Sequence, residues 1–335
     1  MLDTSILQQV TEIFRNLEAD YTFRISYSPL REESSQLIEF LNDFASTSAR
    51  LNVEKQEAEG DALAFSLLKN GEDTGIAFRG IPNGHEFTSL LLAVLNADGK
   101  GKNLPDEGIA QRVRSLSGDI HLQTYVSLTC TNCPDVVQTL NIFALLNPNI
   151  RHEMVDGALF QSEVDAKGVQ AVPAVFADGK LIHVGRGSLG ELLEKLEEVY
   201  PSCPMGENGG NAPIHRSFDV LVLGGGPAGA SAAIYSARKG LKVAMIAERI
   251  GGQVKETVGI ENLISVPYTT GQQLADNLRT HLTHYPIDLF ENRRIESTDF
   301  QGKEKQVKVK GNEVFTASAV IIATGAGWRR LNVPG

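Results

Sequence analysis

The sequence predicts an α/β protein with more than one domain, and three observations lead to this fold class. At 335 residues the chain is long enough for two or three compact domains. Segments with the two-residue apolar alternation of strands alternate with segments at helical spacing. Two short motifs stand where a predicted strand passes into a predicted helix: a Cys-x-x-Cys pair, Cys130 and Cys133, and a Gly-x-Gly-x-x-Gly pattern, Gly224, Gly226 and Gly229.

Composition and charge argue against several classes of function. Hydrophobic residues make up 42% and charged residues 21% of the chain, as in an ordinary globular protein. The formal net charge of −10 disfavours nucleic acid and anionic membranes as partners, because both attract basic surfaces. Residues 1–20 lack the basic start of a signal peptide, and no apolar run approaches the roughly 18 residues that cross a bilayer. We therefore expect a cytoplasmic protein with no membrane or nucleic-acid partner.

Cys130 and Cys133 admit three interpretations: half of a zinc site, a structural disulfide, or a dithiol that cycles between oxidised and reduced forms. A structural zinc ion needs about four Cys or His ligands in closely spaced pairs, and the sequence has no second pair, so we predict no metal. Structural disulfides are rare in the cytoplasm. A redox dithiol is favoured, because the strand-to-helix junction would place Cys130 at the helix N-terminus, where the helix dipole stabilises a thiolate, and Cys133 one turn inside.

The predicted elements around the dithiol follow the order β-α-β-α-β-β-α. A strand at 119–128 precedes the cysteines, an amphipathic helix follows them, and a strand, a helix, a β-hairpin and a final helix complete the segment. In this order the segment 101–200 resembles the thioredoxin fold. The resemblance implies that Pro173, at the start of the third strand, has a cis peptide bond and packs against the dithiol.

A second copy of this pattern lies upstream. When the sequence is shifted by 99 residues, five apolar positions between residues 37 and 51 fall on apolar positions of the redox copy, and a strand-like segment, 21–30, precedes them in the same way. Arg31 and Ser34 stand where this copy would carry its cysteines. Residues 1–100 are therefore predicted to form a thioredoxin-like fold that has no redox chemistry of its own.

Glu86 lies at the start of a predicted helix near the end of the first copy. An acidic residue at this position is favourable to the helix dipole. Composition alone therefore favours a structural role for Glu86 over a functional carboxylate.

The segment 201–217 is predicted to be a flexible linker. It is rich in Gly, Asn and Pro and has no apolar periodicity. The third cysteine, Cys203, lies at its edge and has no predicted role.

Residues 218–335 have the pattern of a dinucleotide-binding domain. A buried strand leads into the glycine motif, which is followed by an Ala-rich helix from Pro227 to Lys239 and a second strand. The three glycines allow a tight turn, close approach of a pyrophosphate and close helix–strand packing, and the helix N-terminus stabilises phosphates. Glu248, about twenty residues further on, would accept a hydrogen bond from a ribose hydroxyl.

Four segments carry a more specific resemblance: "GGGPAGASAAIYSARKG", "GGQ", "IENLISVP" and "IIATGAGWRRLNVPG". The last is predicted to begin as a buried strand that ends in Ala-Thr-Gly-Ala. Together they resemble the FAD domain of thioredoxin-reductase-like flavoenzymes. This resemblance implies an FAD site formed by Gly224, Gly226, Pro227, Ala228, Gly229, Glu248, Gly252, Gln253, Asn262, Thr324, Gly325 and Ala326.

The whole chain, with two tandem thioredoxin-like folds followed by a partial FAD-binding Rossmann-like domain, resembles the flavoprotein subunits of bacterial alkyl hydroperoxide reductases. The segments "TCTNCPDVVQTLN" and "GHEFTSL" are specific parts of this resemblance. It implies that NADH is the electron donor, that FAD carries the electrons, and that Cys130 and Cys133 reduce a peroxiredoxin partner subunit. It also implies a homodimer, and an acidic residue near the dithiol, which Glu86 matches.

The chain departs from this family in one respect. It has no second Cys-x-x-Cys and no second Gly-x-Gly-x-x-Gly, and it ends at Gly335, before the NADH-binding domain of the family. We therefore interpret it as a fragment with an incomplete FAD domain and expect no hydride transfer from NADH. Two other functions stay open: a thioredoxin-type disulfide reductase with a different client, and a redox-inactive flavin-binding or interaction module.

Overall fold

The computed structural model describes residues 2–201 and 213–326. These residues fall into two compact units, one within Met1–Gly206 and the other within Glu207–Gly335. Cys203 and most of the predicted linker lie outside the described residues, as does the segment 327–335. Within the described ranges, no helix is long and apolar enough to cross a membrane.

The first half of the N-terminal unit contains three helices and four strands. They are α1 Thr4–Phe14, β1 Tyr21–Tyr27, α2 Glu33–Ala45, β2 Leu51–Glu57, β3 Leu63–Lys69, β4 Glu72–Arg79 and α3 Phe87–Ala97. A 3-10 turn at Gly84–Glu86 leads directly into α3.

The second half of this unit contains four helices and four strands. They are α4 Glu107–Ser115, β5 Ile120–Val126, α5 Cys133–Leu146, β6 Ile150–Asp156, α6 Gln161–Lys167, β7 Ala174–Ala177, β8 Lys180–Val184 and α7 Leu189–Val199. Capping explains where two of the helices begin. Asp106 accepts hydrogen bonds from the first amides of α4, and Ser188 and Glu191 form a capping box at α7.

All eight strands of the N-terminal unit form one sheet in the order β2-β1-β3-β4-β6-β5-β7-β8. The first four and the last four strands have the same order and the same pattern of parallel and antiparallel pairing. This repetition confirms the duplication predicted from the sequence. The halves join through parallel pairing of β4 with β6, where Ile76 lies opposite His152.

One hydrophobic cluster extends through both halves. It includes Phe44 of α2 and Phe143 of α5, which occupy corresponding positions in the two copies. On β5, Ile120 and Val126 have almost no exposed surface and belong to this cluster. The two halves therefore share one hydrophobic core.

The C-terminal unit is a second α/β layer structure. Its elements are β9 Ile214–Leu223, α8 Pro227–Ala237, β10 Val243–Ile246, α9 Gly271–Thr283, β11 Ile287–Phe290, β12 Ile295–Asp299, β13 Lys305–Val309 and β14 Glu313–Ile322. The sheet has the order β11-β10-β9-β14-β13-β12, with parallel pairing from β11 to β14 and antiparallel pairing beyond.

Three predictions for this unit need correction. Residues 214–217, assigned to the linker, belong to β9 and pair with β14. Helix α8 ends at Ala237, two residues before the predicted Lys239, and a glycine with positive φ, Gly240, follows. The end of β14 is not buried: Ile322 is 65% exposed, because no described element covers that face of the strand.

A polar triad is enclosed in the core of the second half. His152 on β6 is 1% exposed. Its Nδ1 atom is 2.7 Å from Asn141 Oδ1, and its Nε2 atom is 2.8 Å from Thr124 Oγ1. Since an amide oxygen only accepts, Nδ1 carries the proton and the Thr124 hydroxyl donates to Nε2. Burial lowers the pKa of His152 to about 3, so the ring is neutral in the folded protein.

We predict that His152 makes the N-terminal unit less stable in acid. The unfolded chain binds a proton at His152 below pH about 6.5, whereas the folded chain does not until about pH 3. The free energy of unfolding therefore decreases as the pH is lowered through that window. Relative to His152→Gln, the wild type should lose about 2 kcal/mol between pH 6.5 and 5. Hydrogen exchange of the slowest amides in β5 and β6 measures this difference.

The matched control is His121→Gln, which changes an exposed histidine on the neighbouring strand. This variant should keep the wild-type dependence on pH. Parallel pH profiles of wild type and His152→Gln would contradict the prediction.

Candidate functional site

Cys130 and Cys133 are joined by a disulfide. Their Cα atoms are 5.5 Å apart, which lies within the range of protein disulfides. The pair follows the end of β5 and precedes α5, at the strand-to-helix junction that the sequence predicts.

The two sulfurs differ in access. Cys133 is fully buried, whereas Cys130 is partly exposed. Helix α5 begins at Cys133, so the prediction that Cys130 would start the helix is wrong by one turn. Pro134 explains the later start, because a proline lacks an amide hydrogen and fits the first turn, where amides have no acceptor within the helix.

Pro173 lies beside the exposed sulfur. The Val172–Pro173 peptide bond is cis, as predicted. The Sγ atom of Cys130 is 3.9 Å from the Val172 carbonyl oxygen, and the Pro173 carbonyl accepts a hydrogen bond from Gly185 N at 2.8 Å. The loop that carries Pro173 therefore forms one wall of the dithiol site.

Glu86 reaches the same region from the first half. The turn Gly84–Glu86 packs on α5, and the amide of His85 donates to the carbonyl of Leu128, two residues before Cys130, at 3.1 Å. Glu86 precedes α3, yet its side chain makes no capping hydrogen bond. The carboxyl group is fully buried, and neither of its oxygens has a hydrogen-bond partner among the described residues.

The isolation of Glu86 changes its acidity. Burial disfavours the carboxylate and raises the pKa of Glu86 to about 7; the nearby Ser89 hydroxyl offsets part of this effect without a hydrogen bond of good geometry. A carboxyl group with this pKa exchanges protons near neutral pH, which suits an acid–base catalyst. The structural role that composition favours, a surface cap, does not account for a fully buried, uncapped side chain.

The glycine motif of the C-terminal unit forms a tight loop between β9 and α8. Gly224 has φ of +116°, and a Cβ atom there would lie 2.2 Å from the Ala323 carbonyl oxygen. A Cβ atom on Gly229 would lie 2.0 Å from the Gly224 carbonyl oxygen. At Gly226, by contrast, a Cβ atom would meet no atom of the described residues within 4 Å. The open space over Gly226, next to the α8 N-terminus at Pro227 and Ala228, fits a pyrophosphate.

Other predicted cofactor residues lie around this loop. Gly252 would bring a Cβ atom within 3.3 Å of Gly226 Cα, and Gln253 donates its side-chain amide to the carbonyl of Ala326. The structure thus brings the Gly-Gly-Gln segment together with the glycine motif and the end of the Ala-Thr-Gly-Ala segment. The remaining candidates are exposed or partly exposed: Glu248 after β10, Asn262 on the loop before α9, and Thr324 and Gly325 after β14.

Sequence reasoning missed three residues that shape the dithiol site: Gly84, Ser89 and Gln138. Gly84 has φ of +55° and closely approaches the Leu128 carbonyl, and Gln138 bridges from α5 to Ser89 on α3. Gln138 lies within the quoted cysteine segment, but no spacing rule marks it. Its contact joins residues 49 positions apart and becomes visible only in the fold.

We predict that Glu86 makes the N-terminal unit less stable at higher pH. Its folded pKa of about 7 lies above the ordinary value of 4.5, so the stability present below pH 4.5 is lost as pH rises through 7. Glu86→Gln removes this dependence on pH, so its free energy of unfolding should rise by about 3 kcal/mol relative to wild type between pH 4.5 and 8.

Glu32→Gln, at the corresponding start of α2 but exposed, is the control and should follow the wild type. Protection of core amides from hydrogen exchange measures the effect, and a pH-independent difference would refute it.

Two family profiles match the chain. The profile described as pyridine nucleotide-disulphide oxidoreductase matches residues 218–335, and the profile described as thioredoxin domain matches residues 120–198. These matches confirm the predicted fold class, with thioredoxin-like folds followed by part of a flavoenzyme-type domain.

The chain also matches proteins over its entire length. It is 41% identical to a protein named NADH dehydrogenase from Bacillus subtilis and 41% identical to the F subunit of alkyl hydroperoxide reductase in Staphylococcus aureus; both alignments cover 100% of this chain and 64% of the relative. The crystal structure of the NTD_N/C domain of alkylhydroperoxide reductase AhpF from Enterococcus faecalis matches with a TM-score of 0.54 at 31% identity, over 58% of this chain and 100% of that domain. The chain belongs to the AhpF family of alkyl hydroperoxide reductase flavoproteins.

Proposed function

We propose that this chain is part of a flavoprotein disulfide reductase that passes electrons from NADH, by way of FAD and the Cys130–Cys133 dithiol, to a peroxiredoxin. The observation that carries the proposal is the pairing of a partly exposed Cys130 with a buried Cys133, together with the buried Glu86 carboxyl group, which has no hydrogen-bond partner among the described residues and lies on a turn that packs against α5. A structural disulfide has no need of a nearby group that exchanges protons at neutral pH. Catalytic thiol–disulfide exchange does.

The exposure of the two sulfurs assigns their order of reaction. In the reduced chain, the Cys130 thiolate attacks one sulfur of the partner disulfide and forms a mixed disulfide, and one partner thiolate leaves. Cys133 then attacks Cys130 Sγ, so the Cys130–Cys133 disulfide forms and the second partner thiolate is released. Two electrons pass to the partner, and the chain ends in the form that the structure describes.

Glu86 serves the second step. Because Cys133 is fully buried, ionisation of its thiol is unfavourable without a nearby proton acceptor. The Glu86 carboxylate takes that proton and stores it in a site where the protonated form is stable near pH 7. The cis bond before Pro173 fixes the loop whose Val172 carbonyl lies 3.9 Å from Cys130 Sγ, so this loop would line the site where the partner disulfide approaches.

Residues of the C-terminal unit would hold FAD. The glycine motif with Pro227 and Ala228 would receive the pyrophosphate, Glu248 the ribose, and Gly252, Gln253, Asn262, Thr324, Gly325 and Ala326 the rest of the group. When bound, FAD accepts a hydride from a nicotinamide and delivers electrons to a disulfide. The contribution of this chain is to keep the loop at Gly226 free of side chains and to aim amides at the phosphates.

The proposal extends to the complete protein. The chain spans 64% of the length of its curated relatives, so NADH oxidation and peroxide removal are assigned to the whole protein. We assign residues 1–100 and 101–200 as the two thioredoxin-like domains and 218–335 as the FAD-binding domain. We further propose a cytoplasmic homodimer whose partner is the peroxiredoxin of the same system.

We predict that Cys133→Ser captures the partner as a stable mixed disulfide. Without the resolving thiol, the product of the first step cannot proceed. The variant, pre-reduced and mixed with an oxidised peroxiredoxin, should give a covalent adduct of one chain each that non-reducing electrophoresis detects and a reductant dissolves. Cys130→Ser is the matched control and should give at least a tenfold lower yield, because Cys133 is buried.

The outcomes distinguish the competing functions. Adducts with many unrelated disulfide proteins, equal in yield to the peroxiredoxin adduct, would favour a general disulfide reductase. The absence of any adduct, together with full retention of structure, would favour a redox-inactive module.

We predict that Gly226→Ala removes FAD without unfolding the C-terminal unit. Within residues 2–201 and 213–326 the new methyl group meets no atom within 4 Å, and it occupies space assigned to the pyrophosphate. After incubation with FAD and gel filtration, the flavin absorbance per chain should fall at least tenfold from wild type, with an unchanged melting temperature. Ser236→Ala, near the far end of α8, is the control and should retain FAD. Equal flavin content in Gly226→Ala and wild type would refute the assignment.

A further inference from the structure

The two halves of the N-terminal unit meet where α3 packs against α5. The contact is largely apolar and includes Leu90 and Val137, both fully buried. A polar bridge crosses it, since the side-chain amide of Gln138 on α5 lies 3.4 Å from the buried Ser89 Oγ on α3. A separate, exposed contact of the same amide reaches Thr88 Oγ1 at 3.4 Å and does not form part of this bridge. Polar groups in an apolar contact are costly unless they are paired, so the bridge restricts how α3 sits on α5.

Ser89 connects this bridge to the buried carboxyl group. It follows Glu86 by three residues, which places the two on the same side of the chain at the start of α3. Its side chain is fully buried. A hydroxyl has a single proton to donate; because Gln138 donates to the Ser89 oxygen, the proton of Ser89 stays available for the Glu86 carboxylate.

We infer that Ser89 and Gln138 are positioning residues for Glu86, and that the bridge between the halves sets how readily Glu86 exchanges a proton with the dithiol. The inference rests on the proposed role of Glu86 in disulfide exchange and names the groups that regulate it. Neither residue touches the reacting sulfurs; both act through the carboxyl group.

A second contact holds the Glu86 turn from the other side. Gly84 has φ of +55°, and a Cβ atom there would lie 2.6 Å from the Leu128 carbonyl oxygen. The hydrogen bond from His85 N to the same carbonyl closes this contact. Glu86 is therefore held between the loop before Cys130 on one side and the Ser89–Gln138 bridge on the other.

Few other ionisable groups lie on the elements that pack around Glu86. His85 on the same turn is exposed, and Asp135 in the first turn of α5 faces Arg186 at 4.0 Å. The thiols of Cys130 and Cys133 join them after reduction. Burial and the Ser89 hydroxyl are the causes that act on the pKa of Glu86, with no contribution from these charges.

The test compares four forms of the full chain: wild type, Ser89→Ala, Gln138→Leu and the control Thr88→Val. Infrared difference spectra of the oxidised chain, with Glu86→Gln as the reference, give the titration midpoint of the Glu86 carboxyl group. Loss of the Ser89 hydroxyl should raise this midpoint, because that hydroxyl lowers the pKa of Glu86. Gln138→Leu should raise it in the same direction, and Thr88→Val should leave it unchanged.

A second readout follows the chemistry without the partner. Each pre-reduced form reacts with a small aromatic disulfide, and the pH at half-maximal rate should shift upward in Ser89→Ala and Gln138→Leu alone. Unshifted midpoints in Gln138→Leu, or an equal shift in Thr88→Val, would overturn the inference. Shifts in the expected direction, combined with a failure of every form to reduce a peroxiredoxin, would support the inference and refute the proposed function.

Discussion

The parallel pairing of β4 with β6 is the constraint on which the rest of the N-terminal unit depends. It turns two copies of a thioredoxin-like fold into one eight-stranded sheet and brings α3 of the first copy against α5 of the second. Because α5 begins at Cys133 and α3 begins after Glu86, the same pairing places the turn that carries Glu86 against the helix that begins at Cys133. Neither copy alone contains both groups.

Two buried ionisable groups in this unit affect stability in opposite directions. The low pKa of His152 costs stability as pH falls below about 6.5, and the high pKa of Glu86 costs stability as pH rises above about 4.5. Between these values the two effects largely cancel, at about 1.4 kcal/mol per pH unit each. The neutral His152 forms hydrogen bonds through both ring nitrogens and has a structural role. The carboxyl group of Glu86 has no hydrogen-bond partner among the described residues, which is the condition expected of a group that must gain and lose a proton.

Local spacing was sufficient to predict the parts of the structure that depend on local geometry. The strand-to-helix junction at the dithiol and the glycine loop at Gly224 follow from residues close together in the chain, whereas the cis bond before Pro173 is implied by the resemblance to the thioredoxin fold. The burial of Glu86 could not be predicted in this way, because an acid before a helix has the same local pattern whether or not another helix covers it. The prediction that β14 is buried up to its end was wrong at Ile322 for the converse reason. Hydropathy predicts a buried strand, but burial requires an element on the other side.

In the first copy, the residue at the position that corresponds to Cys130 contacts the second copy instead of carrying a thiol. Arg31, at the position that corresponds to Cys130, donates through Nη2 to the carbonyl of Leu159 at 2.7 Å and lies over the ring of Phe160, 4.6 Å from its centroid. Arg79 of β4 covers the same ring at 4.1 Å, so two guanidinium groups of the first half hold the start of α6 in the second. An arginine at this place cannot exchange electrons, but it binds the halves together beside the β4–β6 pairing. The first copy, which has no cysteine at this position, thus contributes contacts that hold the second copy beside the shared sheet.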